Sequence, residues 1–435
     1  GRMPAQEASV DRPPSAATFA EYLATWKIDR ASRGVLEEGS DWTPAKQATA
    51  LRILGRLAQL PGNLAARFSR DAPDVVAEPA GQRLGDRLVR VAGRAVLVTP
   101  LEIPREEAAL AGRERAEIVR IVTPAGIGID VLADRVPRGW KRSAAIDEPA
   151  AAFGLPLVES GGPPTATGAP PAAVLVAAAS VAWFPDTPLG ILGVDYGLFD
   201  RVVDGQRLVA GDTEAFYAVL AAAGREPPRE AKSPDGATTD IVPLIDPAKG
   251  WFADHRGEPI TIEGIARRAT RIAVDDPARR TQIGTGHYWE LFVFVPTPLI
   301  RINDRLQQDY PVVCCVRTLP DGMPTGQKIG ERVRIEGFAF KRYGYPLPDV
   351  QISSSQGEQD RKGLRQETAL VIAKTATWLP QPSPNRAVNT LGWVFLSLAT
   401  AVGVALAAAA WSFSRDVHGR RQRSRDALPD RIELP

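Results

Sequence analysis

Three aspartates, Asp195, Asp200 and Asp204, fall within the segment VDYGLFDRVVD, close enough in sequence to suggest a metal ion or acid–base chemistry. No histidine or glutamate stands at a fixed spacing from them, so capping and turn roles explain them better. A second candidate is GFAFKRYGY, where Phe338, Phe340 and Tyr343 stand beside Lys341 and Arg342. On an OB-like barrel, exposed aromatics next to basic groups can stack on bases or sugars, whereas core aromatics with a solvated basic end are the simpler reading. These five residues are kept as a candidate interaction surface. The glycine fragments GIGID (Gly126 to Asp130) and GTGH (Gly284 to His287) lack the third glycine and the strand–turn–helix setting of a nucleotide fingerprint, and read as turns.

Cys314 and Cys315 are adjacent in the apolar run YPVVCCVR, where successive strand side chains point to opposite faces. They read as two small buried hydrophobes. His255, His287 and His418 are scattered without metal-ligand spacing, and no nucleophile elbow, phosphate loop or zinc signature appears in the sequence. No catalytic residue, metal or cofactor is expected.

The elements around these residues are those of a long, ordered chain. At 435 residues with 44% hydrophobic content it can build two or three domains. Its 53 basic and 51 acidic side chains nearly cancel, which argues against a polyanionic partner such as nucleic acid. Near the C-terminus, Leu391 to Phe413 is an uncharged, mostly apolar stretch with Trp393 and Trp411 near its ends. At about 1.5 Å per residue a helix of this length spans roughly 34 Å, enough for a hydrocarbon core of about 30 Å. Arg415, Arg420, Arg421, Arg423 and Arg425 crowd its far side while the preceding linker holds only Arg386, so the tail is expected in the cytoplasm and the large N-terminal part outside. That orientation needs an export signal, and GRMPAQEASVDRPPSAAT has no apolar core. A signal peptide removed or lying upstream fits this; a tail-anchored protein starting at Met3, in the opposite orientation, is the alternative.

Residues 1–15 are polar and proline-rich and expected to be disordered. A helical region follows over 16–80, where Thr43 caps a helix with Pro44 at its first position and Leu51, Leu54, Leu57 and Leu60 recur on one side. From residue 81 short β-type runs take over, and they occur twice. Laying Val136 on Leu319 places Pro137 on Pro320, Gly139 on Gly322, Glu148 on Glu331 and Gly154 on Gly337 without gaps. Farther along, Trp183 meets Trp378, and upstream Gly93 meets Gly264. Self-similarity in the same order marks repeated units. Each copy reads as about five strands; in the second they are PITIEGIARRATRIAV, HYWELFVFVP, DYPVVCCVR, ERVRIEGFAFKRY and ETALVIAKTATWL. The expected architecture is mainly β with α: two tandem OB-like five-stranded modules over 81–188 and 251–380, with a β-sandwich as the competing form. Between them, 189–250 reads as turns, a helix capped by Asp212 or Thr213 and ended by Gly224, and an exposed linker; 381–390 is a stiff linker, 391–413 the transmembrane helix and 414–435 a basic tail.

The blocks LPDGMPTGQKIGERVRIEGFAFKRYGY and LGVDYGLFDRVVDGQRL resemble those of uncharacterised bacterial envelope proteins with paired β-modules and a C-terminal membrane helix, over residues 80 to 415. The resemblance implies location and architecture but transfers no functional residue. In topology, RLVRVAGRAVLV and VLADRVPRGW are also similar to Surf1-type oxidase assembly factors. The sequence therefore points to a single-pass envelope protein with the lipid bilayer and other proteins as partners, nucleic acid excluded, and a structural or interaction role. A membrane-bound assembly factor or enzyme is the alternative.

Overall fold

The computed structural model describes residues 18–28, 30–37, 42–75, 86–106, 108, 115–159, 172–225, 238–302, 305–346, 365–379 and 393–411. Four helices come first: α1 (Phe19–Thr25), α2 (Arg30–Glu37), α3 (Pro44–Ala58) and α4 (Gly62–Ser69). The start of α3 follows its sequence signals, with the Thr43 hydroxyl accepting the Lys46 N–H and Pro44 at the first position. Its Leu51, Leu54 and Leu57 are buried and pack, with Phe19 and Leu23 of α1, on Ile118, Leu132, Leu155 and Leu175 of the sheet that follows.

That sheet comprises β1 (Val89–Leu101), β2 (Ala116–Val122), β3 (Gly128–Arg135), β4 (Ala145–Glu159) and β5 (Val174–Trp183), closed in the order β1-β2-β3-β5-β4. A second barrel repeats it with β6 (Pro259–Ala273), β7 (His287–Ile302), β8 (Arg305–Thr318), β9 (Glu331–Pro346) and β10 (Arg365–Trp378), closed as β6-β7-β8-β10-β9. Among the described strand pairs of the two barrels, β3–β5 and β8–β10 run parallel and the rest antiparallel. This is the five-stranded OB-like order, and closure rules out the sandwich, since a closed sheet leaves no edge. Val91, Ile121, Val131 and Val176 fill the first interior; Ile262, Val293, Cys314 and Ile335 fill the second.

The two barrels agree in register as well as in order. Gly93 faces Ala150 as Gly264 faces Val333, and Val89 faces Gly154 as Ile260 faces Gly337. The same bulge falls at Val96 and at Arg267. Gly154 and Gly337 are glycine for one reason: a Cβ would lie 2.4 Å from the Ala177 carbonyl oxygen in the first barrel and 2.5 Å from that of Ile372 in the second. Trp183 Nε1 donates to Glu148 at 2.8 Å, and Trp378 Nε1 donates to Glu331 at 2.7 Å. Those four residues are the pairs that the sequence superposition brings together.

One difference is visible in the strands. β2 and β3 are joined by a tight turn over Thr123–Ile127, whereas β7 and β8 stay paired out to Ile302 and Arg305. Helix α5 (Thr213–Ala223) lies between the barrels in sequence, and α6 (Pro277–Ile283) between β6 and β7. The C-terminal helix α7 (Trp393–Trp411) belongs to a separate unit, Leu379–Pro435. With a mean hydropathy of 2.0 it is long and apolar enough to cross a membrane, and none of it is buried.

Candidate functional site

The segment from Leu189 to Gly224 carries the helix expected to end at Gly224 and, beyond a turn-rich connection, builds an interbarrel core: its apolar side chains cover the second barrel, and Tyr196, Asp195 and Asp200 reach the first. Val313, Cys315, Phe340, Leu370 and Ile372 project from the outer face of the second barrel. They are covered by Phe216, Val219 and Leu220 of α5 and by Leu189 and Val194. An unbroken series of edge-to-face aromatic pairs runs across: Trp140–Trp183, Trp183–Tyr196, Tyr196–Phe199, Phe199–Phe340, Phe340–Phe216 and Phe216–Tyr288, at centroid separations of 5.1–6.2 Å. Such pairs each add about 0.5–1.5 kcal/mol beyond their burial.

Carboxylates tie the same segment to both sides. Asp195 accepts the N–H of Trp183 on β5 at 2.9 Å and of Gly197 at 2.8 Å, and Asp200 accepts the N–H of Arg138 at 3.0 Å. Both therefore hold the first barrel. Asp204 accepts the N–H of Arg342 on β9 at 2.9 Å and pairs with Arg256, and so holds the second. Asp212 is fully buried, accepts the N–H groups of Val203 and Val209, and pairs with Lys341 at 2.7 Å. Although it precedes α5, its carboxylate makes no capping bond. Three aspartates that suggest a metal cluster in sequence are thus tethers, spread over two barrels. Among the described residues no group of three His, Cys, Asp or Glu could hold a metal ion.

The candidate interaction surface is corrected by the same packing. Phe340 and Lys341 are completely buried and Phe338 and Tyr343 nearly so, which leaves only Arg342 half-exposed. The pairing of β9 with β10 passes from Ala339–Val371 to Lys341–Leu370, so Phe340 is an extra residue. This bulge lets both Phe340 and Lys341 turn toward the interbarrel core, against strict alternation. Burial lowers the Lys341 ammonium from its ordinary value, and the hydrogen bond it donates to Asp212 acts against that shift.

A cleft of about 440 Å³ opens on the first barrel where β2, β3 and β5 meet residues 195–201. Glu117 holds Arg142 in a two-point ion pair at 2.8 and 2.9 Å, and the same guanidinium donates to the carbonyls of Pro137 and Trp140. Across from it, Arg135 and Arg201 both line the cleft. Neither side chain makes a hydrogen bond or ion pair among the described residues. Arg135 is exposed at its residue surface, and partial desolvation by the cleft walls, followed by the like charge of Arg201, lowers its guanidinium, with Asp195 opposing. Asp195 itself is raised by burial, against the N–H groups it accepts. The basic residues escaped the sequence reading, because arginines on separate elements carry no spacing signal.

The remaining candidates are structural or solvent-facing. Cys314 faces the barrel interior and Cys315 the interbarrel core, both free, with burial holding each thiol well above its usual range. Asp130 of GIGID forms a buried two-point pair with Arg120, while Gly284 of GTGH ends α6 in the left-handed region. His255 stacks on Trp251; His287 lies beside Arg271, and burial followed by that charge lowers it. Trp393 and Trp411 are exposed on α7. Leu391, Phe413, Arg415, Arg420, Arg421 and His418 lie outside the described residues, as do 1–15, 226–237 and the linker 381–390.

In comparisons with known proteins, no family model and no curated protein matches the chain. Among solved structures it is similar to a deletion mutant of the single-stranded DNA binding protein from Thermus aquaticus, at 8% identity over 68% of this chain and 96% of that one. The TM-score of 0.15 is too low for that likeness to carry any argument.

Proposed function

We propose that the chain is a single-pass, membrane-anchored component of a bacterial cell envelope whose two barrels act as one rigid docking body for protein partners. The observation that supports this best is the aromatic series from Trp140 to Tyr288, flanked by the aspartate tethers. Independent modules need only a flexible link. Here aromatic area, with Asp195 and Asp200 on the first barrel and Asp204 and Asp212 on the second, would hold two barrels in one arrangement and present a fixed, composite surface. The apolar helix α7 would anchor that body, with the arginine-rich tail in the cytoplasm and the barrels outside.

The test is affinity isolation of the full chain from detergent-solubilised membranes with identification of co-purifying proteins. Stoichiometric partners that are lost when the interbarrel core is loosened by Phe340→Ala are expected; recovery as a lone monomer overturns the reading. Protease treatment of intact cells checks the orientation, and digestion confined to the tail would reverse it. A second reading, a membrane-bound assembly factor or enzyme acting on an envelope substrate, draws on the polar cleft of the first barrel.

A further inference from the structure

We propose that the cleft on the first barrel is a binding site for a small phosphate-bearing anion, gripped between Arg135 and Arg201. Two guanidinium groups at one cleft repel unless an anion offsets them; of the carboxylates that line it, Asp134 has a partner of its own, Asp195 opposes the repulsion only in part, and the others are bound elsewhere. Glu117 is taken by Arg142, and Asp195 and Asp200 by backbone N–H groups. The guanidinium fork suits bidentate contact with phosphate, and two forks suit a group carrying more than one negative charge. A volume of about 440 Å³ is that of a small-ligand site. Arg142, fixed on Glu117 and two carbonyls, forms a rigid wall with no rotamer freedom left to lose on binding.

The second barrel supplies an internal control. β3 and β5 pair at Arg135–Ser180 where β8 and β10 pair at Thr318 and Thr375. By the same superposition Arg138 falls on Asp321 and Arg142 on Thr325. Arg135, Arg138 and Arg142 are therefore absent from the duplicate, although the strands around them share register. A position needed only to close the barrel would not require them, and the site is independent of the docking role proposed above.

The experiment is calorimetric titration of the full chain in a neutral detergent with two probes, inorganic pyrophosphate and monomeric dihexanoyl phosphatidylglycerol. Each is run on the parent, on Arg135→Thr, which installs the residue the second barrel uses, and on Arg201→Gln at an exposed position. Arg94→Gln, which removes an ion pair with Asp147 elsewhere, serves as the control. Saturable binding that weakens at least about tenfold in both cleft variants and is unchanged in the control is expected. Response to pyrophosphate identifies a free phosphate ligand, and response to the short-chain lipid alone identifies a headgroup. Absence of saturable binding to either probe, or equal binding in both cleft variants and the parent, overturns the proposal.

Discussion

On the first barrel, Arg120 of β2 faces Asp130 of β3 in a buried ion pair; at the same register of the second barrel, Phe292 of β7 faces Val313 of β8. The bulges, the close-packed glycines and the Trp–Glu bonds match, yet this pair has changed from charged to apolar, as Arg135 has given way to Thr318. Register is set by what must fit inside and between strands, where a single methyl is felt. Outer-face positions answer instead to whatever covers them. In the second barrel that cover is α5 and its aromatic residues; in the first it is α1 and α3, packed on Ile118, Leu132, Leu155 and Leu175, with a polar cleft open beside residues 195–201. The lesson is that one barrel plan supports two outer faces, each covered by its own helices, with an open polar cleft beside the first.

The strongest way to break this comparison is at the hub. Asp212→Ala strands a buried ammonium and two N–H groups together, and a loss of at least about 5 kcal/mol is expected in chemical denaturation of the full chain. A loss no larger than that of an exposed ion pair would mean that the interbarrel core contributes little.

Next comes the exchanged pair itself. Asp130→Val alone leaves Arg120 buried without its partner and is expected to cost about 3–5 kcal/mol. Adding Arg120→Phe completes the pair found in the second barrel and should recover most of that loss, within about 1 kcal/mol of the parent. A double variant as unstable as the single one would show that the two outer faces are not equivalent.

The pH response of Asp212→Asn sharpens the role of Lys341. Because burial lowers Lys341 in the folded protein, the unfolded chain binds more protons just below the ordinary lysine value, and stability rises with pH in that alkaline window. Without the counter-charge Lys341 falls further, so the window widens. The stability gap between variant and parent should close by up to about 1.4 kcal/mol for each pH unit gained there. A gap that stays constant would assign the loss to packing alone.

The smallest effect separates the duplicated tryptophans. Trp183→Phe removes a hydrogen bond at a half-buried ring inside the aromatic series, for about 1 kcal/mol; Trp378→Phe, at a ring 40% exposed, should cost less than about 0.5 kcal/mol. Equal costs would erase the distinction.

Much of this fold can be read from the residues alone. The five strands of the second barrel follow from alternating β-branched and aromatic runs bounded by glycine and proline, and the matched glycines disclose the duplication because backbone contact permits nothing larger. Thr43 and Pro44 mark α3 because capping is local chemistry. Lys341 misleads for a physical reason: a lysine in a strand is ordinarily solvated, and only a distant aspartate, 129 residues earlier, makes its burial tolerable. Residues 195–212 lack periodicity because each side chain is aimed at a different element, which leaves no pattern to detect. The arginine cleft is hidden likewise, assembled from β3, its following loop and a turn some sixty residues later.

The adjacent thiols have a practical consequence. Cys314 is sealed within one barrel and Cys315 beneath α5 and the segment that covers that barrel, so the two sulfurs time two different openings of the molecule. In single-cysteine versions, a maleimide reagent would label position 315 whenever the α5 cover lifts and position 314 only when the strands themselves come undone. The chain thus carries a pair of clocks, one peptide bond apart, that distinguish loosening from unfolding without any foreign label site.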